Sequence, residues 1–121
     1  MPSSDTRGKQ YIVDFGRNLK LDRMLDLGCG EGTYAILFPA AHWTGVEIWK
    51  PYVDQYDLRS IYPELHNVDA RFWEPEGQHW DVAIAGDVLE HMSEEEAKRL
   101  FDKLRACADW VIISIPFHMP Q

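Results

Sequence analysis

The stretch Leu25-Asp26-Leu27-Gly28-Cys29-Gly30-Glu31-Gly32-Thr33 decides how this chain is read. The residues leading into it, Arg23-Met24-Leu25-Asp26-Leu27, have the pattern of a buried strand that runs straight into glycines. Beyond them, Glu31 to Phe38 reads as a helix, stopped before Pro39. Such a turn lets a ligand approach the backbone closely, because glycine has no Cβ. The helix that follows offers unpaired N–H groups at its start. Dinucleotide phosphates are held by loops of this kind through G-x-G-x-x-G. That pattern needs a glycine at 33, where Thr33 stands. The pattern here is D-x-G-x-G-x-G, with Asp26 two residues before Gly28. A buried carboxylate at that place repels a pyrophosphate, orders the loop and attracts an ammonium group.

Working outward, Trp43 to Ile48 reads as a second strand, and Pro51 suits the first turn of a helix over about 51–60. Leu65 to Val68 is a weak third strand and Trp80 to Ala85 a fourth. Ser93 and Glu96 have capping-box spacing at the start of a helix. Ala97, Leu100, Phe101 and Leu104 give that helix one apolar face. Trp110 to Ile115 is a fifth strand, ended by Pro116. Upstream, Tyr11, Ile12, Phe15 and Leu19 space an amphipathic helix over 10–19, after a polar, frayed 1–9. The strand–helix alternation predicts an α/β fold, a doubly wound and mostly parallel sheet of about five strands with helices on both faces.

A chain of 121 residues fits one domain, 1–121. Its content of 45% apolar and 26% charged residues is that of an ordinary soluble globular protein. No apolar run is long enough for a membrane span, and the first residues lack a signal peptide's apolar stretch. Cys29 and Cys107 make no disulfide framework, so both are expected as free thiols in a reducing cytoplasm. The five histidines, His42, His66, His79, His91 and His118, show no metal-ligand spacing. The formal net charge is −8, all of it from the body after residue 23, since the first 23 residues are net basic. An acidic body without a basic stripe makes nucleic acid an unlikely partner. The five tryptophans sit beside strands and turns, which predicts packing rather than base stacking for most of them.

Together these residues resemble the class I S-adenosylmethionine (SAM) dependent methyltransferases. The first motif of that family is matched by Asp26-Leu27-Gly28-Cys29-Gly30-Glu31-Gly32. Three further positions follow in order. The resemblance implies that Glu47, at the end of the second strand, binds both ribose hydroxyls, an ionised carboxylate having two acceptor oxygens for two donors. Dinucleotide enzymes use the same device, so Glu47 alone does not choose between the two ligands. Val68-Asp69-Ala70 falls where family members read the adenine, with Asp69 accepting from the amino group and Ile48, with Trp49, covering the ring. Asp87-Val88-Leu89-Glu90-His91 matches a large subgroup with D-V-L-E-H after the fourth strand.

The resemblance implies a Rossmann-like sheet of order 3-2-1-4-5. It implies SAM as cofactor, the demethylated S-adenosylhomocysteine (SAH) as product, no metal, and cofactor contacts from Asp26, Gly28, Cys29, Gly30, Glu47, Ile48, Asp69, Ala70 and Asp87. The acceptor is expected to be a small molecule. His91 is the candidate base for a hydroxyl acceptor, with His118 behind it. Two alternatives stay open: a SAM-binding module without its own catalysis, and an NAD-type oxidoreductase, which Thr33 and the segment Asp87 to His91 disfavour. The family's C-terminal hairpin has no counterpart after Ile115, so the chain is expected to be a truncated form. Strand five would then be a bare, apolar edge, which is expected to form a homodimer through Val111, Ile112 and Ile113, to be covered by the last residues, or to aggregate when concentrated.

Overall fold

The computed structural model describes residues 21–28, 32–86 and 88–113. The expected helix over 10–19 and the frayed 1–9 lie outside them, as do Cys29, Gly30, Glu31, Asp87 and His118. Five strands form one parallel sheet of order β3-β2-β1-β4-β5. They are β1 (Arg23–Leu27), β2 (His42–Val46), β3 (Glu64–His66), β4 (Trp80–Ala85) and β5 (Ala108–Ile113). The connecting helices are α1 (Thr33–Leu37), α2 (Lys50–Gln55), α3 (Leu58–Ile61) and α4 (Glu94–Cys107), with a 3-10 turn at Leu89–His91.

The three central strands, β2, β1 and β4, are buried on both faces, as the middle of a parallel sheet requires. Alternation along β1 sends Leu25 and Leu27 into one core with Val46, Ala83, Ala85, Leu100 and Leu104. Met24 goes to the opposite core, with Trp43, Val53, Leu58, Tyr62 and Ile84. Asp26 shares the face of Met24, directly beside Gly45 on β2. The indoles of Trp43 and Trp80 are buried with their N–H groups satisfied, at 2.8 Å by the Phe38 carbonyl and at 3.1 Å by Thr44 Oγ1. Trp73 is buried as well, while Trp49 and Trp110 are 56% and 53% exposed.

Several boundaries differ from the sequence reading, each for a local reason. The helix expected over 51–60 is two, because Asp57 turns left-handed at φ 47, a conformation Asp tolerates better than most residues. Glu47 stands one residue past the end of β2 rather than inside it. The third strand is only three residues long and starts at Glu64, not Leu65. Strand five starts at Ala108 instead of Trp110, because α4 passes into it with no intervening loop. The capping box at Ser93 is present in full: Glu96 N–H donates to Ser93 Oγ at 3.2 Å, and Ser93 N–H donates to Glu96 Oε1 at 3.0 Å. The apolar face of α4 buries Leu100, Leu104 and Cys107, while Ala97 and Phe101 are half-buried.

Candidate functional site

In open parallel sheets, ligands bind beyond the carboxyl ends of the strands where the strand order reverses. Here that place lies above β1, with β2 and β3 on one side and β4 and β5 on the other. A cavity of about 340 Å³ opens there, within the size range of small-molecule sites. It is lined by Gly28 after β1, by Glu47, Ile48, Trp49 and Tyr52 after β2, and by Asp69, Ala70 and Arg71 after β3. Val88, His91 and Met92, after β4, close the far wall.

Each wall has a local cause. Gly28 takes φ 73, and its N–H donates to the Val46 carbonyl at 2.8 Å, which bends the chain out of β1 over the end of β2. A Cβ at Gly28 would come within 3.2 Å of the Val88 Cβ, so glycine keeps the β1 and β4 loops in close approach. Glu47 is only 6% exposed. Its backbone N–H donates to the His66 carbonyl at 3.0 Å, and its Oε2 accepts from the Trp49 N–H at 2.9 Å. Asn67 Nδ2 donates to the Glu47 carbonyl at 2.6 Å, pinning the β2 loop to the β3 loop. Ile48 and Trp49 are exposed on the rim, and Trp49 meets Tyr52 edge to face with centroids 6.5 Å apart.

Asp69 is held by its neighbour. Its Oδ1 accepts from the Arg71 backbone N–H at 2.9 Å, and its two oxygens accept from Arg71 Nε at 3.1 Å and Nη2 at 2.6 Å. The Arg71 hydrogen bonds hold the Asp69 carboxyl below the usual carboxylate range, so it is ionised at neutral pH. Three Arg71 N–H groups, with Nε shared between both oxygens, thus take most of the carboxylate's acceptor capacity, and a further donor would use the position that Nε shares. Ala70 is buried beneath the same wall.

Asp26 differs from the expectation of direct contact: it is not among the residues lining the cavity. It is 1% exposed, and the Tyr62 hydroxyl donates to its Oδ2 at 2.6 Å. Its Oδ1 is buried without a hydrogen-bond partner among the described residues. Burial pushes its carboxyl up to about 7, opposed by the Tyr62 hydrogen bond and reinforced by the charge of Glu47. The Tyr62 ring reaches Asp26 by lying across Gly45, where a Cβ would be 2.8 Å from the ring.

The structure therefore brings Gly28, Glu47, Ile48, Asp69, Ala70 and His91 to one cavity and puts Asp26 beneath it. Cys29, Gly30 and Asp87 lie outside the described residues. Tyr52, Arg71, Val88 and Met92 were missed as lining residues. For Arg71 a signal existed: it lies two residues after an acidic position expected to face a ligand. No group of three or more His, Cys, Asp or Glu among the described residues is placed to hold a metal. No helix among them is long and apolar enough to cross a membrane.

A doubly wound sheet with a glycine turn after β1 and a buried acid after β2 defines the class of α/β domains that bind nucleoside-type cofactors. The pattern of the family described as Methyltransferase domain matches residues 7–120, and the chain belongs to that family. Solved structures agree on the fold. The magnesium protoporphyrin IX methyltransferase ChlM from Synechocystis PCC 6803, with bound SAM, is 26% identical, with a TM-score of 0.63, covering 85% of this chain and 56% of its own. SAM-bound CalS10, an amino pentose methyltransferase from Micromonospora echinaspora, is 20% identical, with a TM-score of 0.74 and coverages of 98% and 53%. The plantazolicin methyltransferase BpumL, in complex with SAH, is 16% identical, with a TM-score of 0.65 and coverages of 84% and 40%. This chain thus spans between 40% and 56% of the length of these three enzymes. No curated protein sequence matches it significantly.

Proposed function

We propose that this domain binds SAM in the crevice above β1 and transfers its methyl group to a small-molecule acceptor. The observation that carries the reading is the meeting of the buried Glu47, the left-handed Gly28 and the ionised Asp69 on one cavity. The cavity suits the cofactor. Glu47 offers a carboxylate at the end of β2 for two adjacent hydroxyls. Asp69 offers an acceptor to an amino group, with Ile48 and Trp49 as apolar cover. Gly28 leaves space where a side chain would stand. Bound SAM supplies an already activated methyl group, so the protein's task is alignment, which can contribute roughly 7–11 kcal/mol. For a hydroxyl acceptor, His91 at the cavity wall is the residue to take the proton.

The same reading puts the domain in a reducing cytoplasm, where the buried free thiol of Cys107 stays unpaired. It also pairs two copies through β5, whose other neighbour among the described residues is absent. Calorimetric titration tests the core of the proposal. SAM and SAH should each bind and raise thermal stability by mass action, and NAD should do neither. Tighter binding of NAD than of either SAM species would overturn the reading. Binding without methyl transfer to any acceptor would make this a cofactor-binding module.

A further inference from the structure

Two walls of the cavity come from strands that are not neighbours. Asp69 and Arg71 follow β3, while Val88, His91 and Met92 follow β4, and β2 and β1 lie between those strands. The β3 wall is poorly held by the sheet, because β3 is an edge strand of three residues. Among the described residues, the Arg71 side chain links the β3 wall to the start of α4. Arg71 Nη1 donates to Glu96 Oε2 at 3.0 Å, while Nε and Nη2 chelate Asp69. Glu96 is itself fixed, because its other oxygen closes the capping box at the start of α4, just after Met92. An unbroken chain of charge-assisted bonds thus runs from Asp69 through Arg71 and Glu96 to Ser93. Farther along the same loop, Lys103 donates to the Trp73 carbonyl at 2.7 Å and to Glu74 Oε1 at 3.0 Å, so the loop is also tied to α4 away from the cavity, while Arg71 ties it at the cavity.

We propose that Arg71 is a positioning residue for adenine recognition: through Glu96 it sets the distance between the two walls, and through its chelate it turns Asp69 to accept from the ring's amino group. The inference rests on the SAM reading above. A guanidinium suits the role because its planar fork meets a carboxylate with two donors and keeps a third for Glu96. Lysine is a point charge without that fork and does not reproduce the side-on chelate of Asp69. An exposed ion pair alone contributes little to stability. The expected effect is therefore on ligand selectivity more than on the fold.

The test measures dissociation constants for SAH and for S-inosylhomocysteine, whose base carries an exocyclic carbonyl oxygen in place of the amino group. The proteins are the wild type, Arg71→Lys, Arg71→Met and Glu96→Gln. Glutamine at 96 can still accept from the Ser93 N–H and keep the capping box, so Glu96→Gln removes the charge that Arg71 meets without unravelling α4. We expect wild type to prefer SAH by about tenfold or more, as sites built around a polar group of the ligand do. Arg71→Met should reduce that preference to about twofold, with Arg71→Lys and Glu96→Gln between the two. A preference unchanged in all three variants, in a wild type that binds SAH, overturns the role of Arg71 alone. A wild type that binds neither compound overturns the cofactor reading and this inference with it. Should Arg71→Met fail to fold, the ratio in Arg71→Lys and Glu96→Gln decides.

Discussion

Asp26 offers the sharpest test of the buried architecture, through the substitution Asp26→Asn. Its carboxyl ordinarily titrates near 3.8 and is pushed to about 7 in the folded protein, mainly by burial. Between those values the folded state keeps a proton that the unfolded chain has released. The folded state binds more protons there, so stability falls as pH rises from about 4 to about 7. A shift of about three units, at about 1.4 kcal/mol each, makes the loss as large as ~4 kcal/mol. That is a sizeable part of the roughly 5–15 kcal/mol that holds a typical domain folded. Asparagine cannot ionise, and its carbonyl can still accept from Tyr62. Its NH₂ would replace the unpartnered Oδ1 at a cost of about 1–3 kcal/mol that does not vary with pH. The assay is urea unfolding of both proteins at about pH 5, 6, 7 and 8, reading the difference between them at each pH. The variant should gain on the wild type up to about pH 7 and then level off. A difference that stays flat across the series would refute the buried, proton-retaining Asp26.

Three other outcomes are expected. Glu47→Ala should weaken SAM binding at least about tenfold with little loss of fold, since charge-assisted bonds contribute roughly 1.5–3 kcal/mol each; unchanged affinity by titration would mean the ribose is held elsewhere. Gly45→Ala should destabilise the domain by about 1–3 kcal/mol, because the new Cβ displaces the Tyr62 ring; a melting temperature equal to wild type would count against the stacked arrangement. Concentrated protein should dimerise through β5 and protect the amides of Val111, Ile112 and Ile113, so a strict monomer by light scattering with fast exchange along that strand would exclude the pairing.

Much of the fold was legible because its signals are local. The bounds of β1 and β4 follow from apolar runs that end at glycine, and the start of α4 follows from the capping-box spacing. The left-handed Asp57 was not legible, since an aspartate in a helical stretch gives no sign of breaking it until α3 must turn to bury Leu58 and Tyr62. At the site, the residues beside the glycine turn and after β2 were readable, because each stands at a strand end whose direction is known. Tyr52, Met92 and Arg71 depend on which loops face one another across the sheet, and that is set by strand order, not by spacing. The placement of Asp26 was within reach: strand alternation puts it on the side of Met24, toward the core that holds Tyr62.

The strand order also dictates when the crevice can exist during folding. β1 pairs with β2, its next strand in the chain, but its other partner, β4, lies beyond α2, α3 and β3 in sequence. Contacts closed over longer loops form more slowly. The wall carrying His91 and Met92 follows β4, so the site waits on the β1–β4 pairing, which closes a longer loop than any other pairing of the sheet. SAH has little to grip before that step. It should therefore leave the refolding rate of the domain nearly unchanged and slow its unfolding, as an interaction absent from the transition state does, and stopped-flow traces with and without SAH read both rates. A newly made chain would have to find its fold unaided, and the cofactor would act afterwards, as a lock on a structure already closed.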